Sequence, residues 1–295
     1  MFSFVSYASS FIFDFMTKRF VLCISVLFFA NTAKTQSLES FEHVGEIGVS
    51  VGAAHYFGDL NPEFDISRPK FSAALHYTKQ MNNYVGLKIS ATYAGLGYAD
   101  KYSKNVFQQN RNLSFNSDVW EFSLNGTFNF FSFNPGFEGN NYTPYVGLGI
   151  GVFTYDPYAY LNGEKYLLRT VGTEGQGSDA YPDRLPYKNY AFCMPLTLGF
   201  KYAFSPSMNV FTELRYRFTN TDYLDDVSTT YTPDAFIGAG PASLLSDRSY
   251  ELGSTIGIKG RQRGTTLQKD AFATFHVGLS FNLQAYRCPN QKYSY

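Results

Sequence analysis

Residues 272–283, FATFHVGLSFNL, change character at every step. Ala273, Phe275, Val277, Leu279, Phe281 and Leu283 are apolar, while Thr274, His276, Gly278, Ser280 and Asn282 are polar or lack a side chain. A β-strand sends alternate side chains to opposite faces, so this segment is greasy on one side and wet on the other. A strand of a water-soluble sandwich can read the same way. Recurrence decides between the two, and so does the spacing of what lies between the repeats. The closing strand of a membrane-spanning barrel has this grammar, apolar toward lipid and polar toward the lumen.

The alternation recurs upstream. The first strand is expected at about 46–57, with Ile47, Val49 and Val51 opposite Gly48, Ser50 and Gly52. The second, about 70–80, sets Phe71, Ala73, Leu75 and Tyr77 against Ser72, Ala74, His76 and Thr78. The third covers about 84–98, with Val85, Leu87, Ile89 and Tyr93 outward and Lys88, Ser90 and Thr92 inward. In the fourth, about 115–131, Trp120, Phe122, Leu124, Phe128 and Phe130 oppose Glu121, Ser123, Asn125, Thr127 and Asn129. The fifth, about 143–155, alternates Val146, Leu148, Ile150 and Val152 with three glycines. The sixth, about 190–204, and the seventh, about 209–220, repeat the pattern, the seventh with Glu213, Arg215 and Arg217 inward.

Connections alternate too. Short ones follow strands two, four and six, at 81–83, 132–142 and 205–208, and long ones follow the odd strands. That asymmetry is typical of outer-membrane barrels, with short periplasmic turns and longer extracellular loops. Both termini then fall on the short-turn side. The sequence predicts an all-β fold, an eight-stranded antiparallel up-and-down transmembrane barrel. Its end, HVGLSFNL, also resembles the signal by which barrel-insertion machinery recognises its clients.

Composition agrees with this reading. Aromatics make up 19% of the 295 residues and charged residues only 16%, which fits strands with rings at a membrane interface. Formal net charge is zero with no basic run, which argues against a nucleic-acid partner. Beyond the N-terminus no segment approaches the roughly 18 apolar residues of a spanning helix. At the N-terminus, Lys18 and Arg19 precede an apolar run over 20–30 and then NTAKTQS, the layout of a cleaved export signal. Met16 is an alternative start. Residues 1–35 are therefore read as extension and signal, 36–283 as the barrel and 284–295 as a periplasmic tail. Export leaves only Cys193 and Cys288, at opposite ends of the barrel in this topology and not expected to pair.

Seven charges point inward: Glu46, Lys88, Glu121, Lys201, Glu213, Arg215 and Arg217. An eight-stranded barrel is just wide enough for side chains to fill, so these are expected to form a plug of ion pairs and not an ion path. Lys201 and Glu213 flank the turn at 205–208 and are expected to be cross-strand partners. Asp59, Glu174, Asp222, Asp225 and Asp226 gather at the long-loop rim, as turn formers or as a cation site, although their spacing matches no calcium loop. His43, His55, His76 and His276 show no metal-ligand spacing, and no nucleophile elbow, phosphate loop or zinc signature occurs. No enzymatic activity, cofactor or small-molecule substrate is expected.

Four rim segments, YFGDLNP (56–62), RNLSF (111–115), TEGQG (173–177) and TDYLDDVSTTY (221–231), together with PYVGLGIGVF, resemble the PorG family of outer-membrane barrels. That resemblance covers nearly the whole mature chain. It implies a non-enzymatic part of the type IX secretion apparatus, in contact with a periplasmic ring built by a lipoprotein and its partner. The expected contact surface is the short turns and the tail, with Asn82, Asn83, Pro135, Phe137, Ser207, Arg287 and Cys288 as candidates. The other reading is a free-standing barrel that stabilises the envelope or binds surface ligands, with outer-membrane lipids as its neighbours.

Overall fold

Eight long strands close into a ring. The computed structural model describes residues 41–135, 139–266 and 268–286, and of 41–43 and 284–286 the backbone alone. The expected export signal, Phe137, Arg287 and Cys288 lie outside the described residues. The unit Glu42–Tyr286 holds the barrel. Its strands are β1 (Phe41–Phe57), β2 (Lys70–Gln80), β3 (Val85–Ala99), β4 (Ser114–Asn129), β5 (Tyr142–Thr154), β8 (Tyr190–Ser205), β9 (Met208–Thr219) and β10 (Ala271–Tyr286). Neighbours pair antiparallel in chain order, β1 lies beside β10, and the β3–β4 pairing closes the circle.

Each expected strand is present within a few residues of its expected ends, because a period of two is hard to mistake over ten or more positions. The closing strand runs to Tyr286, past the Leu283 boundary read from the sequence. A hairpin, β6 (Tyr158–Leu161) and β7 (Glu164–Leu167), rises from the long loop between β5 and β8. Its turn is Asn162–Gly163, both at positive φ (53° and 85°). Asn-Gly suits that geometry, and flanked by YAYL and EKYL it was a readable hairpin signal. Asn116 of β4 pairs with Tyr158, so the hairpin continues the barrel wall beyond β5.

The long loops carry three short helices, α1 (Val106–Arg111), α2 (Leu168–Val171) and α3 (Pro241–Ser246). The Asn105 side chain caps α1 by accepting the Phe107 N–H at 2.9 Å.

Burial is inverted relative to a soluble protein. Ile150 is 71% exposed and Phe122 62%, whereas Glu46, Glu121 and Arg217 are at most 1% exposed. Outward Val, Leu, Ile and Phe encircle every strand of the wall. So much contiguous apolar surface is not sustained in water, but it suits a hydrocarbon layer. Ring closure leaves no open sheet edge in that layer. This is a membrane-spanning barrel.

Candidate functional site

Inside the barrel the charges pair in layers. Nearest the short turns, the Glu46 carboxylate accepts from the Lys201 ammonium, from Asn209 Nδ2 at 2.9 Å and from Ser280 Oγ at 2.8 Å. In the middle layer Glu213 accepts from Lys88, from Arg215 and from the Tyr145 hydroxyl at 2.8 Å. Above it, Arg217 Nε donates to Glu121 at 2.8 Å and its Nη1 to Thr274 at 2.6 Å. His276 sits between Ser50 Oγ at 3.2 Å and Ser72 Oγ at 2.8 Å. The expected pairing of Lys201 with Glu213 is not what forms. Register sets Gly199 opposite Glu213 and Phe211 opposite Lys201, and both charges reach across the lumen instead.

Gly199 has a further role. A Cβ there would run into the Tyr145 ring, so its absence lets that ring cross the lumen to Glu213. The cavity left among Glu46, His76, Lys88, Tyr145 and Lys201 is about 10 Å³, the size of one water. At the short-turn end Phe133, Asn134 and Pro135 are buried, and the Lys201 ammonium lies 5.1 Å from the Phe133 ring centre. The lumen is a packed core of opposed charges.

That tuck corrects one expectation. Pro135 is buried with Phe133 and so is not part of an exposed contact surface. Asn82 and Ser207 are exposed, and Asn83 is half-buried. All three serve their turns. Asn82 Oδ1 accepts from the Tyr84 and Val85 N–H groups at 2.8 and 2.7 Å. Asn83 Nδ2 donates to Ser132 Oγ at 3.3 Å, and the Ser207 carbonyl accepts from the Asn282 N–H at 2.9 Å.

The rim carboxylates converge at the other end and are buried in a cap that ties all four long loops together. Tyr56 Oη lies within hydrogen-bond distance of both Asp225, at 2.5 Å, and Asp270, at 2.9 Å. Asp59 accepts from the Thr265 N–H at 2.8 Å, and Asp222 from Ser228 Oγ at 2.5 Å. Asp226 accepts from the Tyr187 hydroxyl at 2.6 Å and from Thr173. Glu174 accepts from the Ser228 and Thr229 N–H groups at 3.0 and 3.1 Å and from Arg263 at 2.9 Å. Arg263 also donates to the carbonyls of Ser246 and Asp226. Arg111 holds Asp100 through two bonds of 2.7 Å and reaches the Asp59 carbonyl at 3.0 Å.

Burial dominates the chemistry of this cap. It raises Asp59 to about 7, with Asp222 and Glu174 adding to the effect. Asp222 is likewise raised to about 6. Asp226 reaches about 6 although Arg263 opposes the rise. Asp225 and Asp270 are pushed well above the usual carboxylate range by burial, with Asp270 and Asp59 adding to the rise at Asp225 and Asp222 and Asp59 to that at Asp270. Carboxyls in this state are partly protonated donors and acceptors within a polar core. Among the described residues no three His, Cys, Asp or Glu side chains are placed to hold a metal ion. Asp100, Arg111, Arg263 and Asp270 escaped the sequence reading, because irregular loops carry no periodicity that marks an inward side chain, and Tyr56 escaped it as an ordinary aromatic of β1. Cys193 is a buried free thiol.

Fold and site together define a small membrane barrel with a filled lumen and a polar loop cap. The chain belongs to the family described as a domain of unknown function, DUF6089, which matches residues 18–234. No curated protein matches it. Among solved structures it is similar to Neisserial surface protein A, at 11% identity and TM-score 0.41 over 83% of this chain and 100% of that chain. It is also similar to Ail of Yersinia pestis, at 10% identity and TM-score 0.37 over 81% and 99% of the two chains. OprG of Pseudomonas aeruginosa aligns at 11% identity and TM-score 0.38 over 83% and 98%.

Proposed function

We propose that this protein is a non-enzymatic outer-membrane component of the type IX secretion system that anchors or contacts the periplasmic ring complex. The observation that carries the non-conducting part of this reading is the filled lumen, whose charges are paired from Glu46 to Arg217. A barrel plugged in this way acts through the surfaces it presents. The secretion assignment is supported by the PorG-like segments, which hold Asp59, Arg111, Glu174, Asp222, Asp225 and Asp226. In this reading the cleaved signal delivers the chain to the periplasm, the long loops face outward, and the short turns face the ring. Asn82, Asn83 and Ser207, with Arg287 and Cys288 of the tail, are the contact candidates. The lipoprotein of the ring and its partner are the protein neighbours, and outer-membrane lipids surround the wall. Deleting the gene should abolish export of secreted cargo while the envelope stays intact, and the ring lipoprotein should co-purify after mild detergent extraction. Normal secretion in the deletion strain would sink the assignment.

A second reading, a free-standing surface barrel, draws on the apolar tips of the long loops. Leu185, Ile237 and Ile258 are 76%, 105% and 65% exposed. Under that reading deletion changes envelope integrity or surface adhesion and leaves secretion untouched.

A further inference from the structure

A notch on the outer wall, where β2 and β3 meet the long loops, is lined by three cations and by no carboxylate. Its cavity is about 280 Å³ and is lined by Arg68, Lys70, Lys101, Tyr98, Tyr102 and Phe115 among others, none of them acidic. The Arg68 guanidinium lies 4.1 Å from the Tyr102 ring centre and the Lys101 ammonium 5.1 Å from the same ring. Both side chains are exposed, and neither has an ionic partner within 4.0 Å among the described residues. Lys70 is held differently. It lies across β3 at Gly97, where a Cβ would collide with its ammonium, and it donates to the Leu96 carbonyl at 2.9 Å and to Asn116 Oδ1 at 2.5 Å. Two of its three N–H groups are thereby used. Asp118 lies near it and is bonded to the Tyr93 hydroxyl at 2.7 Å.

The height of the notch on the wall identifies what meets it. Directly below, Phe71, Tyr93 and Trp120 form an outward row across β2, β3 and β4, with ring centres 6.4 and 5.1 Å apart. Phe71 and Trp120 are 61% and 56% exposed. Aromatic rows of this kind sit at the boundary between hydrocarbon and headgroups. Lys70 is one residue, roughly 3.3 Å, nearer the loops than Phe71. The three cations therefore stand in the headgroup layer, above the acyl chains. A planar guanidinium and two ammonium groups around a small cavity match phosphate oxygens. The volume falls at or below the lower end of small-molecule sites, which suits one phosphorylated sugar and not a whole ligand.

We infer that this notch binds the phosphate-bearing headgroup of an outer-leaflet glycolipid. The site fixes the barrel against one lipid, and it is independent of whether the barrel serves secretion. The purified protein in zwitterionic phosphatidylcholine nanodiscs is titrated with bis-phosphorylated lipid A, and retention is read by native mass spectrometry. The unaltered protein is expected to retain the lipid, and the double variant Arg68→Ser/Lys101→Ser to bind it roughly tenfold more weakly. A control pair, Lys165→Ser/Lys188→Ser, removes two other exposed lysines that lie over Tyr158 and Tyr190 at 3.6 and 5.4 Å; it should bind as the unaltered protein does. Heat modifiability on gels checks that both double variants fold. Equal weakening by the two pairs would reduce the effect to diffuse charge and overturn the site. Displacement of the lipid by an equal concentration of inorganic phosphate would also overturn it, in favour of a small-anion site. Failure of the unaltered protein to retain the lipid would end the inference outright.

Discussion

Lys201 of β8 pairs with Glu46 of β1, across the lumen and with two strands between them in the ring. Both groups are buried, so removing either leaves a charge without its counterion, at a cost of about 3–5 kcal/mol. Lys201→Met and Glu46→Gln should each destabilise the barrel, and the double variant by less than their sum. We expect a coupling of about 2–3 kcal/mol for this pair and under about 1 kcal/mol for Lys201 with Glu213. Urea unfolding of the four proteins of each cycle in one detergent measures both. The reverse order would show that neighbouring strands, and not the opposite wall, set the pairing.

The outward face of β10 gives a second expectation. Leu279 is 41% exposed on the apolar wall, while Ser280 is fully buried and bonded to Glu46 and Asn209. Arg at position 279 near the bilayer midplane should cost about 2–4 kcal/mol. Leu279→Phe keeps the face apolar and should be nearly neutral. Parity alone, which turns Ser280 inward, would make Ser280→Arg the milder change. The structure removes that expectation, since the lumen beside Ser280 has no room for a guanidinium. Heat-modifiability gels after folding into vesicles rank the three, and full assembly of the Leu279→Arg protein would overturn the lipid-facing assignment.

These two cases show what a linear reading reaches. Parity along a strand says which way Leu279, Ser280, Lys201 and Glu46 point, because each position depends only on its neighbours in sequence. It does not say which inward charge meets which. That depends on ring closure and on how far each side chain reaches across a lumen of eight strands. In the loops even direction is lost. The carboxylates of TDYLDDVSTTY were noticed as a group, but Asp270 stands next to β10, and Tyr56 is an ordinary-looking strand aromatic. Only the folded cap brings Asp225 and Asp270 onto one hydroxyl. The hairpin at Asn162–Gly163 is a different kind of miss, because its turn signal was present in the sequence.

The cap should respond to pH in a stated direction. Asp59, Asp222 and Asp226 are raised from 3.8 to about 7, 6 and 6 in the folded protein. The folded cap therefore holds more protons than the unfolded loops across the range between those values. Stability from these groups is fully present below about 3.8 and is lost as pH rises through 6 to 7. The Thr265 N–H, bonded to Asp59, should be better protected from hydrogen exchange at pH 5 than at pH 8 after correction for intrinsic rates. Greater protection at pH 8 would mean that the arginines, and not burial, govern the cap.

Arg263 is the cap's central cation, since it bonds Glu174 of the third loop and two carbonyls of the fourth, while its own carbonyl accepts from Arg111 of the second. Glu174 in turn holds the Ser228 and Thr229 N–H groups, so one guanidinium ties the third loop to the fourth. Lysine cannot reproduce this, because an ammonium on a flexible stem lacks the planar fork that meets several acceptors at once. Arg263→Lys should therefore loosen the cap, and Arg263→Met should open it further by leaving Glu174 buried without its counterion. Neither should disturb the wall, whose strands and lumen pairs make no contact with this side chain in the bonds described. Limited proteolysis separates the two levels. Cleavage within 155–189 and 220–270 should quicken in the order native, Lys, Met, while the β1–β5 and β8–β10 ring keeps its heat-modifiable gel shift. Loss of that shift in the Arg263→Lys protein would show that cap and wall fold as one unit, and equal cleavage in all three would remove Arg263 from the cap's support.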